Sequence, residues 1–117
     1  MEESSFVLGR RAEDAAEERL RELGYAILDR NFRTRRGELD IVARDGRTVV
    51  FVEVKGRSRS TFGGAAGAVH GLKRQRIIGA ARAYIAARRL DCPMRFDVII
   101  WEKGRWEHFQ GAFQEQW

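Results

Sequence analysis

The chain has a single cysteine, a single proline and only three lysines among its 117 residues. One cysteine, Cys92, excludes an internal disulfide and any zinc site built on cysteine pairs. His70 and His108 have no metal-ligand spacing between them. No apolar run approaches the roughly 18 residues a membrane span needs, and stretches such as Val49–Val52 are short. The opening Met1-Glu2-Glu3-Ser4-Ser5 is acidic and polar, unlike a secretory signal. The glycines between Gly56 and Gly71 spell neither a dinucleotide fingerprint nor a Walker loop, which leaves nucleotide binding without support. These absences predict a cytoplasmic protein of one domain, spanning 1–117, with no membrane partner.

What is present is a folded, basic composition: 44% hydrophobic, 33% charged, net charge +5. The charge is uneven. Residues 1–55 carry 11 basic and 12 acidic side chains, whereas 56–117 carry 11 basic and 5 acidic. No acid occurs from Gly56 to Leu90, where Arg57, Arg59, Lys73, Arg74, Arg76, Arg82, Arg88 and Arg89 fall. A second knot, Arg30, Arg33, Arg35 and Arg36, precedes Gly37. The planar arginine fork matches phosphate oxygens, so a polyanionic partner is the functional reading and a solvated helix face the bland one.

Hydrophobic spacing predicts seven elements. Ala12, Ala15, Ala16, Leu20 and Leu23 recur at helical spacing over Gly9–Leu23, ending at Gly24. Strands are predicted over Tyr25–Phe32, Glu38–Ala43 and Thr48–Lys55, the last two joined by an Asp45-Gly46 hairpin turn. A mobile loop is predicted over Gly56–Gly71, then a helix over Leu72–Arg89 with Ile77, Ala81, Tyr84 and Ile85 inward. Strands over Arg95–Trp101 and Arg105–Phe109 follow. The order α-β-β-β-α-β-β, with a helix between two apolar strands, implies an α/β fold. It implies a mixed five-stranded sheet with a parallel, right-handed crossover and helices on both faces.

The informative chemistry lies in Gly37-Glu38-Leu39-Asp40 and Glu53-Val54-Lys55. With Arg44 facing Arg47 across the turn, Asp40 falls opposite Phe51 and diagonal to Glu53, about 7–8 Å away. Strand alternation puts Glu53 and Lys55 on that face, with Val50, Val52 and Val54 on the other. Two carboxylates on a partly apolar face repel one another unless a cation or proton intervenes. A hard divalent ion, Mg²⁺ or Mn²⁺, answers that problem. Lys55 could orient or deprotonate a water there, or stabilise charge on a phosphate. Glu13 borders the buried stripe of the first helix and could supply a further ligand. Lys73, one turn before Ile77, either reaches this site or lies along the surface. Glu38, opposite Glu53 in this register, could support the site but is read first as turn geometry, and Arg95 with Asp97 as a structural ion pair.

An acid on one strand, a hairpin and then Glu-x-Lys resembles the PD-(D/E)xK, or restriction-endonuclease-like, nucleases. More narrowly, the chain resembles the small bacterial YraN-like family, similar in fold to archaeal Holliday-junction resolvases. The likeness runs through Gly9 with Glu13, Asn31 with Arg33, Gly37-Glu38-Leu39-Asp40, Phe51-Val52-Glu53-Val54-Lys55 with Arg57, Phe62-Gly63, Lys73 and Arg95-Phe96-Asp97. It implies a Mg²⁺ or Mn²⁺ site made by Asp40, Glu53 and the Val54 carbonyl, with Lys55 as catalytic lysine and Glu13 as a helix-borne acid. Leu39 stands where the superfamily has its proline. The resemblance implies a metal-dependent DNA endonuclease, with branched or single-stranded DNA as partner and a homodimer suited to junction cutting. Arg33, Arg35, Arg36, Arg57, Arg59, Lys73, Arg74 and Arg76 are the expected nucleic-acid contacts. A non-catalytic nucleic-acid-binding module and a basic protein-interaction domain are the alternatives.

Overall fold

A computed structural model describes residues 5–57, 71–102 and 104–115, without the side chains of 5–8 and 57. Arg59, Lys103, Phe62-Gly63 and most of the loop expected over Gly56–Gly71 lie outside the described residues. Within them the chain runs α1 (Ser5–Glu22), β1 (Ala26–Arg33), β2 (Glu38–Asp45), β3 (Thr48–Arg57), α2 (Gly71–Arg88), β4 (Met94–Glu102) and β5 (Arg105–Phe113). This is the predicted order.

The five strands form one mixed sheet in chain order. The β1–β2, β2–β3 and β4–β5 pairs are antiparallel, and β3–β4 is parallel. Alternation along β3 divides the core. Val50, Val52 and Val54 pack with Ala12, Ala16 and Leu20 of α1, while Val49 and Phe51 pack with Ile77, Ala80, Ala81 and Tyr84 of α2. The fully buried stripe of α1 has two alanines, which lets the helix lie close to the valine face. Each valine, leucine, isoleucine or phenylalanine buried this way contributes about 1.5–3 kcal/mol. Leu23 departs from the expected stripe: it lies past the helix end and is 48% exposed.

Both helices end in a left-handed residue. Gly24 (φ 90°) closes α1, with Gly24 N–H donating to the Arg21 carbonyl and Tyr25 N–H to that of Leu20. Arg89 (φ 51°) plays the same part after α2, where Leu90 N–H donates to the Ile85 carbonyl. This pattern satisfies carbonyls that a helix end leaves open.

The hairpin register differs from expectation. Asp45 pairs with Thr48 and Ile41 with Val52, so the two-residue loop is Gly46-Arg47. Gly46 carries the positive φ (62°) and Arg47 does not, the sign pattern of a type II′ turn with glycine first. The shift is two residues, and facing has a period of two. Apart from Leu39, where β2 rolls over and packs on the α2 side, the side chains of the hairpin therefore keep their predicted faces.

The β1–β2 turn is locked onto α2. Thr34 Oγ1 accepts N–H groups from Arg36 at 3.0 Å and Gly37 at 3.1 Å, while Thr34 N–H donates to the Gly37 carbonyl. A Cβ on Gly37 would stand 2.2 Å from the Arg76 carbonyl oxygen, and one on Gly79 would stand 2.8 Å from Arg36 Cβ. Gly37→Ala is therefore expected to destabilise by about 1–3 kcal/mol in urea denaturation, because a backbone atom must move. Gly9, inside α1 with nothing within 4 Å of its missing Cβ, is the control. Gly9→Ala should be stabilising by about 0.5–1 kcal/mol.

Candidate functional site

The β2–β3 ladder ends at Ile41 and Val52, and just beyond it Asp40 reaches Glu53 by a side-chain hydrogen bond, closer than the diagonal expected from sequence. Asp40 stands where β2 changes facing: Leu39 packs on the α2 side of the sheet and Ile41 on the α1 side. β1 makes the same roll. Arg30 reaches the acids of α1, Phe32 packs on the α2 side, and Asn31 between them adopts φ 53°. Asparagine tolerates that left-handed conformation better than most residues. The Asp40 carboxyl is thereby set in the rim between two clefts.

One cleft, about 430 Å³, lies toward α2 and is lined by Glu38, Asp40, Glu53, Leu72, Lys73, Arg76 and Ile77. The other, about 360 Å³, lies toward α1 and includes Gly9, Glu13, Asn31, Arg33, Glu38 and Asp40. Glu38 and Asp40 belong to both. Asn31, with its amide nitrogen turned to the acids, donates to Glu13 Oε1 at 3.1 Å and Glu38 Oε1 at 3.2 Å.

Asp40 and Glu53 share a hydrogen bond, and Asp40 Oδ2 also accepts the Val54 N–H at 2.8 Å. Glu53 is buried, and Lys73 Nζ lies 2.6 Å from its Oε1. Burial first, and then the neighbouring Glu53 charge, push the Asp40 carboxyl up to about 9; the Val54 N–H opposes them. Glu13 is also raised, by burial, against the lowering pull of Arg30. At neutral pH the pair is therefore held together by a proton and an ammonium group. Its donors are all oxygen, a set that could hold a hard divalent cation. Among the described residues no three His, Cys, Asp or Glu side chains converge on one point, so Glu13 stands back from the pair.

Strand alternation puts Lys55 on the Glu53 face, paired in register with Ile100 of the α2-side core. Val54 enters through its N–H. Of the expected basic contacts, Lys73 and Arg76 line the α2-side cleft and Arg33 the α1-side one, where it lies 3.4 Å from Glu38 Oε1. Arg36 lies beside Arg76 across the locked turn. Arg35 is exposed outside both clefts, and Arg74 lies over the Phe113 ring at 4.9 Å, away from the carboxylates. Arg57 ends β3, its side chain outside the described residues, as Arg59 is altogether. Arg30, part of the basic knot, is spent on α1: its guanidinium lies 2.7 Å from Asp14, 3.3 Å from Glu13 and 3.6 Å from Glu17.

Two residues were underread in the sequence. Glu38 is a wall of both clefts rather than only a turn residue, and its alternation with Asp40 was the available signal. Asn31 was visible only as part of the resemblance. Its bridging role depends on a backbone conformation no spacing rule predicts.

Residues 12–100 match the model of "Uncharacterised protein family UPF0102". A UPF0102 protein of Dechloromonas aromatica is 45% identical over 105 residues, covering 90% of this chain and 87% of its own. One from Syntrophotalea carbinolica is 50% identical over 111 residues, with 91% and 90% covered. Another from Desulforapulum autotrophicum is 45% identical over 119 residues, with 97% and 98% covered. The chain belongs to the UPF0102 family, the YraN-like family its motifs resemble.

The shared proton gives a signed prediction. Unfolded, Asp40 releases its proton near 4; folded, it holds it to about 9. The native state thus binds an extra proton across that window, and this group's contribution to stability falls as pH rises through it. Asp40→Asn keeps an acceptor for Val54 and a donor for Glu53. It should stabilise the metal-free protein by about 1–2 kcal/mol at pH 8 and flatten its stability–pH curve between 5 and 9, read by urea melts.

Proposed function

We propose that this UPF0102 protein is a Mg²⁺- or Mn²⁺-dependent DNA endonuclease, hydrolysing phosphodiester bonds on a restriction-endonuclease-like scaffold. The single observation that carries this reading is the Asp40–Glu53 pair. Two carboxyls are pressed together in a cleft flanked by Lys73 and Arg76, in a state that costs stability unless a cation relieves it.

Asp40 and Glu53 would hold the ion through their facing oxygens, with the remaining ligands drawn from water, the Val54 carbonyl or the substrate. A divalent ion bound there polarises a phosphate and acidifies a water. The protein's own groups do the rest. Lys55, on the Glu53 face, orients the attacking water or shields charge building on the phosphate. Lys73, which pairs with Glu53, would be free to hold a phosphate oxygen of the scissile strand when a divalent ion neutralises that carboxylate. Glu13 and Glu38, tied by Asn31, keep the α1-side cleft acidic and set the rim that Asp40 occupies. Arg33, Arg36 and Arg76 position the sugar–phosphate chain without reading bases. Junction or branched DNA, and a second copy of the chain to cut it symmetrically, belong to the same proposal.

The test is a panel of branched, single-stranded and duplex DNAs titrated with Mg²⁺ and Mn²⁺. Cleavage should require the ion and fall at least about a hundredfold in Glu53→Ala and in Asp40→Ala. Cleavage that survives either substitution, or salt-sensitive binding without any cleavage, would overturn the assignment; the latter is the signature of a non-catalytic binding module. Lys73→Met removes the resident ammonium from Glu53, and Mn²⁺ affinity measured calorimetrically should rise about threefold to tenfold.

A further inference from the structure

A third groove, about 450 Å³, runs along the outer side of α2 and opens from the carboxylate cleft, since Leu72 and Arg76 line both. Its walls carry Arg36, Arg76 and Arg82; its one acid, Glu115, lies 3.7 Å from Arg82 at the far end. The groove is built rather than incidental. Arg36 projects from the turn that Thr34 ties, and its stem lies against α2 because Gly79 has no Cβ to displace it. Arg76 and Arg82 are six residues apart on one helix, about 9 Å along its axis.

The floor is apolar. Ile78 is half-buried, and Leu72, at the fork between groove and cleft, is 71% exposed, the highest value among the exposed large apolar side chains described. An anionic chain with apolar faces fits a cationic wall over an apolar floor. Duplex DNA offers a groove this small only its backbone, keeping its base faces stacked inside. An unpaired strand offers both phosphates and bases, and an exposed leucine at a fork is suited to wedge against a base.

We infer that this groove binds an unpaired segment of the substrate strand beside the scissile phosphate. Arg36, Arg76 and Arg82 hold its phosphates, and Leu72 packs against the first unpaired base. The inference rests on the reading that the carboxylate cleft takes a nucleic acid. It adds a direction to that strand and brings in Arg82 and Leu72, which the site itself does not need.

Fluorescence anisotropy in EDTA tests it without turnover, using a ten-nucleotide oligo(dT), a blunt ten-base-pair duplex and the same duplex with a single-stranded tail. The tailed and single-stranded probes should bind at least about tenfold tighter than the blunt duplex. Arg36→Ala and Arg82→Ala should each weaken them about threefold to tenfold and lower the salt slope by about 0.7 per lost phosphate contact. Leu72→Ser should weaken the tailed probe with the slope unchanged. Arg47→Ala, exposed in the turn at the other end of the sheet, gives the effect of losing a charge anywhere. Equal or tighter binding of the blunt duplex would overturn the inference, as would Arg36 and Arg82 variants no weaker than Arg47→Ala. The two readings fail separately. Groove-dependent binding without cleavage in Mg²⁺ supports the groove and removes the nuclease. Cleavage lost in Glu53→Ala but indifferent to Arg36 and Arg82 removes the groove and leaves the nuclease.

Discussion

Two carboxyl groups facing each other across neighbouring strands govern the arrangement of this molecule. Asp40 and Glu53 cannot both be charged at that separation and burial without an intervening cation. Much of what surrounds them is legible as a response. Val54 offers its N–H, Lys73 brings an ammonium from the first turn of α2, and Asp40 retains a proton far above the usual carboxylate range. The turn that carries Arg36 is locked onto the same helix by Gly37 and Gly79, which fixes the basic wall relative to the acidic pair.

A fully buried aspartate elsewhere shows that the conflict at Asp40 is specific to its place. Asp97 is almost completely buried in β4, where a break in the β4–β5 register brings Gly111 opposite it. It accepts two hydrogen bonds from Arg95, one from the Gly111 N–H and the nearby His108 Nε2 at 2.8 Å. Burial acts to raise its pKa, but the hydrogen bonds from His108, Arg95 and Gly111 outweigh that and hold it below the ordinary value. Tyr25 OH, accepting from Arg95 and Gln110, ties this network to the end of α1. One buried carboxylate is thus fully satisfied and its charge favoured; the other is left with a like charge for a neighbour. Full satisfaction is what a structural ion pair requires. The Asp40–Glu53 pair, joined by a proton and held by Lys73, instead lines a cleft, where a ligand can reach it.

The order of elements, the two-sided core and the face shared by Asp40 and Glu53 were readable because each depends on a periodicity. Register was not fixed that way. Asp45-Gly46 and Gly46-Arg47 are both plausible two-residue turns, and only the positive φ of Gly46 with a negative one at Arg47 decides between them. The two registers differ by an even number of residues, so both put Asp40 and Glu53 on one face. Long side chains were the harder problem: Arg30 looked like a phosphate contact and is neutralised by Glu13, Asp14 and Glu17, whereas Lys73 looked equivocal and lies on Glu53. Where a flexible charged side chain comes to rest depends on which opposite charge the fold presents, and sequence spacing does not encode that. Asn31 illustrates the same limit for the backbone. Its left-handed turn in β1 lets one amide serve Glu13 and Glu38 together.

In the proposed function, the proton shared by Asp40 and Glu53 holds the place of a divalent ion. Calorimetric titration of Mn²⁺ into the protein at pH 7, in two buffers of different ionisation enthalpy, measures ion and proton together. One ion should bind with about one proton released, and both should be lost in Glu53→Ala. Absence of ion binding, or binding that releases no proton and persists in Glu53→Ala, would contradict it.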